Sequence, residues 1–389
     1  MRLVSLPFVV LCLLVFLGVS AVAIFYNFHL YLSELGLSGT RAGFVIGVYS
    51  LSCMACYLFG SQRLHPGNVF PAMAAGLALI VACGAAYLAA DGFWMLVVIR
   101  VVQGLGVFLL MGSAMVVLVA IIPPERTGQA FSLYSVALLA PYALMPMLSE
   151  LVLPLLPSPA ALYLLPAAGL IPAAAFLPLL ARRTKDLLRL RAVPAGSPAR
   201  PAWTSLLTRP VLTLLVVNGL YFITFSALFF LFKSLAAVRG YPRPGLFFSV
   251  QMTVMIGLRL LAGRIFDQVA ASLLVFSAFA CTAAAFLALL LFPDPGAVLA
   301  IAVLFGLGMG FAVPPLNSLL YKVTPPERRG YNANIMLFTV HFGSFLGPFA
   351  GAWCIEVAGY DAFLAAGAVL TVLTALVFLA MRPERDIRS

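Results

Sequence analysis

Acidic side chains are what this chain has least of: twelve Asp and Glu stand against 23 Lys and Arg in 389 residues, and 9% of residues are charged. A soluble fold of this length needs a far more charged surface, so that class is excluded. Long polar segments are missing too, which leaves no appended soluble domain of the kind a membrane sensor carries. A Gly-x-x-x-x-Gly-Lys-[Ser/Thr] loop is absent, which counts against ATP-driven transport. The six Cys, at 12, 53, 56, 83, 281 and 354, all sit in apolar runs. Cys53 and Cys56 form a C-x-x-C with no second ligand pair, so they read as small packing residues and not as a zinc or disulfide site. His, Asp, Ser and Cys do not cluster at a membrane face as an enzyme's would. The expectation is no enzyme, no cofactor and no metal.

What the chain does have is apolar surface: 63% hydrophobic residues and a mean hydropathy of +1.11. That is the composition of an integral membrane protein. Its 31 Gly and 27 Pro are tolerated in membrane helices, where neighbours re-satisfy freed backbone groups. A transmembrane barrel would show short alternating strands, whereas these runs are continuous and of helix length. Runs able to cross ~30 Å of hydrocarbon at ~1.5 Å per residue number twelve, centred near 17, 51, 80, 108, 143, 170, 222, 255, 281, 308, 344 and 372. The N-terminus has the Arg2, apolar run and Ala21-Val22-Ala23 of a signal peptide, but the run continues to Tyr26 and reads as the first span.

With the N-terminus inside, 17 Lys and Arg fall in cytoplasmic segments and three, Arg41, Arg239 and Arg243, in outer loops. Both termini are therefore expected in the cytoplasm. The formal charge of +11 is a record of this topology, and no nucleic-acid partner is implied. The expected organisation is a first half over 1–181, a basic linker over 182–209, a second half over 210–381 and a cytoplasmic tail over 382–389. In the linker, residues 185–191 read either as an amphipathic helix on anionic headgroups or as a solvated connector.

A repeat organises the two halves. Gly104-Leu105-Gly106 followed by Pro123-Pro124-Glu125-Arg126 returns 202 residues later as Gly306-Leu307-Gly308 followed by Pro325-Pro326-Glu327-Arg328. Internal duplication of membrane spans is a mark of secondary transporters. Small residues four apart, at Gly43 and Gly47, at Gly306 and Gly310, and at Gly343, Gly347 and Gly351, predict close helix contacts.

Twelve spans in two sixes, a basic central loop and the repeated loop signatures resemble the major facilitator superfamily over nearly the whole chain. The resemblance implies an all-α membrane fold: twelve transmembrane helices in two six-helix halves related by pseudo-two-fold symmetry. It also implies a cytoplasmic gate at G-x-x-x-D-R-type loops. Gly263, Arg264 and Asp267 match that pattern except that Gln268 replaces the Arg; in the first half Leu64 stands where the acid belongs. Arg126 and Arg328 are the implied partners of Asp267, although the Pro-Pro-Glu-Arg loops also serve as helix punctuation. Arg100 and Gly104-Leu105-Gly106 resemble the family's R-x-x-x-G-x-G on the fourth span, and Ala302 is the second-half equivalent of Arg100. A Gly-Pro signature of antiporters, at Gly347-Pro348, sits on the eleventh span and not on the fifth.

None of the twelve carboxylates lies at a membrane midplane, so the buried acid of proton-coupled drug exporters in this family is missing. His29 and Glu34 at the outer end of the first span and His341 in the eleventh are the titratable candidates; the alternative is hydrogen-bonded packing for His341 and, for His29, an interfacial His that needs no special partner. Arg100 lies ~10 Å below the outer surface counted from Phe93, a costly depth. It reads as a pathway-facing residue that binds an anionic group or tunes a proton site, against the alternative of snorkelling. The family's cavity-lining spans add Asn27, Gln103, Asn218, Tyr221, Gln251 and Asn317 as polar contacts. The functional expectation is a monomeric secondary transporter of the bacterial cytoplasmic membrane with a small-molecule substrate, the lipid bilayer and protons as partners. Efflux is the first reading; import of a small anionic metabolite by uniport or symport is the alternative.

Overall fold

The structure, a computed structural model, describes residues 4–37, 39–191, 202–241, 244–261 and 265–381. Its regular elements are helices: α1 Leu6–Ala23, α2 Phe28–Glu34, α3 Gly39–Gly60, α4 Val69–Ala86, α5 Phe93–Ile121, α6 Thr127–Val152, α7 Ala161–Ala173, α8 Phe176–Arg191, α9 Arg209–Arg239, α10 Pro244–Leu261, α11 Ile265–Gln268, α12 Ala271–Leu291, α13 Val298–Val323 and α14 Arg329–Met381. Ten of these helices, α14 among them, are long and apolar enough to cross a membrane. The pair α7 and α8 makes another crossing, bent by 54° after Pro172, a residue that cannot donate to the helical ladder.

Helix α14, at 53 residues, contains Gly359 at φ 82° and ψ 177°. At ~1.5 Å per residue it is far too long for one crossing, and Gly359, in backbone space that L side chains avoid, divides it into two. Twelve crossings result, as expected. Both Pro-Pro-Glu-Arg loops form a single 3-10 turn, Pro124–Arg126 and Pro326–Arg328, leading directly into α6 and α14. The punctuation reading of these loops is thus realised in both copies. Helix α9 ends on Gly240, whose left-handed φ of 67° lets its N–H reach Ala236 O.

Two compact units are present: residues 1–123 with 140–199, and residues 124–139 with 200–389. Helix α8 runs ten residues past the expected boundary at 181 and contains the amphipathic stretch. Its Thr184 and Leu188 are buried, while Arg182, Arg183, Lys185 and Asp186 are exposed. Because α8 packs against α1 and α5, the apolar face of this stretch is covered by protein and not by lipid headgroups.

The Gly-Leu-Gly repeat has a packing explanation that is the same in both units. A Cβ on Gly104 would lie 2.7 Å from Ser52 Cβ and 2.9 Å from Tyr49 O in α3, and one on Gly106 would lie 3.0 Å from Leu79 Cβ in α4. In the second unit a Cβ on Gly306 would lie 2.8 Å from Gln251 O in α10, and one on Gly308 would lie 2.8 Å from Ala278 O in α12. Two residues apart on a helix, the glycines face different neighbours, so each central helix touches two partners at backbone distance. Gly343 and Gly347 do likewise against Phe222, Ile223 and Ala227 of α9, where Ser226 Oγ donates to Gly343 O at 2.6 Å.

Gly306→Leu is expected to force α13 off α10 and cost ~1–3 kcal/mol. A control is Gly257→Ala, where a Cβ meets nothing within 4 Å. Heating the detergent-purified variants and following the monodisperse fraction checks this: Gly306→Leu should melt several degrees lower and Gly257→Ala should not.

Candidate functional site

Arg100 is the centre of the first unit's polar core. It sits two turns into α5 and is 4% exposed. Its Nε donates to Val45 O at 3.3 Å, Nη2 to Ile46 O at 3.0 Å and Nη1 to Gln103 Oε1 at 3.1 Å. The carbonyls belong to α3, which α5 can approach because Gly104 has no side chain; Ser52 Oγ donating to Val101 O at 2.8 Å fixes the same contact. Three rings surround the guanidinium carbon, with centroids 4.7 Å away for Phe25, 5.0 Å for Phe28 and 4.8 Å for Tyr49. Gln103 extends the network: Oε1 also accepts from Tyr87 Oη at 3.1 Å and Nε2 donates to Ala21 O at 3.3 Å. Tyr87 in turn packs against Phe25, Phe28 and Tyr163.

A buried cation ordinarily requires an anion. The described residues contain a single ion pair, Arg239 with Asp361 at 2.6 Å, so Arg100 is compensated by carbonyl dipoles, an amide and aromatic faces. A planar, weakly hydrated guanidinium suits that environment better than an ammonium would. The snorkelling alternative is excluded by the burial of Arg100 and by these inward contacts. The result is a positive charge inside the membrane with neutral acceptors, which a charged oxygen can outcompete.

In the second unit the predicted polar residues separate into different contacts. Asn218 is buried on α9 and donates to Thr339 Oγ1 at 2.8 Å, while its Oδ1 has no hydrogen-bond partner. Tyr221 Oη donates to Met309 O at 3.1 Å, toward α13. Gln251 is fully buried on α10, where Nε2 meets Met255 Sδ at 3.9 Å and Oε1 is unpaired. Asn317 turns back to Val313 O of its own helix at 3.1 Å, and His341 is half-buried on α14. Glu34 is exposed. The side chains of Asn27 and His29 lie outside the described residues. Of the gate, Arg126 is exposed and Arg328 half-buried, whereas Gly263, Arg264 and the Asp267 side chain lie outside the described residues.

Three features were not singled out from sequence. Arg259 on α10 is 1% exposed and lies within electrostatic reach of Tyr221; two residues from the helix end it looks like any interfacial cation. Its carbonyl accepts from Ser132 Oγ at 2.8 Å, and Thr127 Oγ1 meets Ser318 Oγ at 3.1 Å, so buried hydroxyls attach residues 124–139 to α10 and α13. Asn334 on α14 is 0% exposed with neither amide atom hydrogen-bonded. A polar residue in an apolar run was the only available signal for each.

The family model of the major facilitator superfamily matches residues 8–339. The chain belongs to that superfamily. Among curated proteins, the multidrug resistance protein MdtH of Edwardsiella ictaluri is 29% identical over 133 residues, 34% of this chain and 32% of that protein. MdtH of Yersinia enterocolitica gives the same identity and shares, so the match spans about a third of these relatives' length. The human organic anion transporter MFSD10 superimposes with a TM-score of 0.75 at 19% identity, over 95% of this chain and 98% of that one. The proton:xylose symporter XylE, bound to 6-bromo-6-deoxy-D-glucose, does so with a TM-score of 0.76 at 13% identity, over 96% and 94%. At these identities the likeness to the two solved structures is one of superfamily fold.

If Gln103 orients Arg100, their deletions are coupled. A double-mutant cycle of Arg100→Ala and Gln103→Ala, read by thermal denaturation in detergent, should show an interaction of ~1–2 kcal/mol. Additive effects would mean that the carbonyls and rings alone hold the guanidinium.

Proposed function

We propose that the protein is a secondary active transporter that moves a small organic solute out of the cytoplasm by alternating access, driven by protons. Membership of the superfamily supports the transporter class, and the partial likeness to MdtH supports efflux. The observation that carries the substrate class is Arg100: a buried cation held by neutral acceptors among aromatic rings favours an anionic or amphipathic neutral solute over a cation. Binding would exchange the carbonyls of Val45 and Ile46, and Gln103, for the charged oxygens of the solute, loosening the hold of α5 on α3. Asn218 and Gln251 each offer an unpaired acceptor oxygen in the second unit and are the proposed polar contacts there. His29, Glu34 and His341 are the proposed proton carriers, because the sequence places no carboxylate at a membrane midplane.

Import of a small anionic metabolite by uniport or symport is the second reading, favoured by the same missing midplane acid. In either case the chain works as a monomer in the bacterial cytoplasmic membrane with both termini in the cytoplasm, an orientation that rests on the distribution of Lys and Arg. Arg264 and Asp267, with Arg126 and Arg328, are proposed to hold the outward-facing form closed at the cytoplasmic side.

Proteoliposome counterflow against labelled organic anions, sugars and amphipathic drugs, with and without a pH gradient, tests the reading. An anionic or amphipathic solute should move, faster with the gradient, and Arg100→Ala should raise the KM for an anion at least ~10-fold, the loss of one charge-assisted contact. Flux indifferent to the gradient would replace proton coupling by uniport, and unaltered affinity in Arg100→Ala would remove the anion site. Asp267→Asn should shift the inward-to-outward ratio of cysteine labelling toward inward; an unchanged ratio together with unchanged transport retires the gate.

A further inference from the structure

A groove of about 600 Å³ lies in the first unit, between the ends of α3 and α4 and the middle of α5. Cys56 and Phe59 of α3, Ala72 of α4, and Leu105 and Leu109 of α5 line it, and Arg63 stands at its mouth. From Ala55 to Arg63 the lining climbs ~12 Å along the helix direction, enough for roughly the lower half of an acyl chain. The wall is open and apolar, with Phe59 70% exposed and Leu105 39% exposed, as suits a surface that faces lipid tails. No carboxylate lines the groove, since position 64 is Leu.

The turn that carries the cation is pinned, and the cation itself is available. Asn68 pins the turn after α3: its Nδ2 donates to Arg63 O at 2.6 Å, and its Oδ1 accepts from His65 N at 2.9 Å. The Arg63 side chain is exposed, and its one hydrogen bond is a long one, Nη1 to Phe59 O at 3.5 Å. Most of the guanidinium fork is therefore free for a phosphate. An apolar slot that ends at a lone Arg at the interface fits an amphipath with one chain in the slot and an anionic head at the cation.

We propose that this groove binds one anionic phospholipid of the surrounding bilayer, with its phosphate on Arg63 and an acyl chain along Phe59, Ala72 and Leu109. The groove is separate from the Arg100 network, and the proposal holds whatever solute the protein moves. Native mass spectrometry of the full-length protein in detergent, titrated with phosphatidylglycerol or with phosphatidylcholine of the same chains, tests it. The wild type should retain one phosphatidylglycerol with about fivefold preference, the effect of one interfacial cation. Arg63→Gln should abolish the preference, and Arg182→Gln, an exposed residue of α8, should keep it. Ala72→Phe, which fills the slot, should reduce retention of both lipids; if that variant does not fold, Cys56→Leu serves the same purpose. Equal retention of the two lipids by the wild type, or an unchanged preference in Arg63→Gln, overturns the assignment.

Discussion

Backbone contact between α5 and α3 is the constraint on which the first unit's chemistry depends. A guanidinium two turns down a membrane helix can be satisfied by another helix's carbonyls only if that helix is nearly touching. Gly104 provides the space, and Ser52 and Cys53, donating to Val101 O and Gly104 O, hold the approach. Val45 O and Ile46 O then fall within reach of Arg100. A side chain at position 104 would widen the gap and leave a charge facing hydrocarbon. Packing and electrostatics are thus a single requirement here, and the aromatic rings complete it by covering the faces of the guanidinium.

The second unit repeats the packing without the charge. Gly306 and Gly308 bring α13 against α10 and α12 as their counterparts bring α5 against α3 and α4, but Ala302 occupies the place of Arg100. Its polar groups are amides and hydroxyls distributed over α9, α10 and α14, and its buried cation, Arg259, is on α10 instead. Duplication preserved the scaffold, and the two copies diverged in what the scaffold holds. An orphaned buried amide is expensive to keep, so Asn334, Asn218 and Gln251 mark where a water, a solute or another conformation has to complete the set.

Much of the fold was legible in the sequence because membrane burial writes itself as length and hydropathy: twelve runs, their turns and the duplicated loops can be read directly. The close approach at Gly306, Gly343 and Gly347 was also legible, since small residues four apart have few other reasons to recur. Side-chain direction was not. Gln103 and Asn317 look alike in an apolar run, yet one bridges α1, α5 and the turn after α4 while the other folds back on its own helix. Helix α8 shows the same difficulty: charged residues suggested a connector at 182, but Thr184 and Leu188 give it a protein-facing side. A period of 3.6 tells which residues share a face and nothing about what that face meets.

Gly359 joins the last two crossings with no loop between them. Any rotation of one relative to the other has to be absorbed by the two dihedrals of that residue, because helix continues on both sides. Two positions beyond it, Asp361 is tied to Arg239 at the end of α9. The connection is therefore an elbow with a single flexible joint, and the start of the final crossing is tethered to the end of α9 by an ion pair that water can reach.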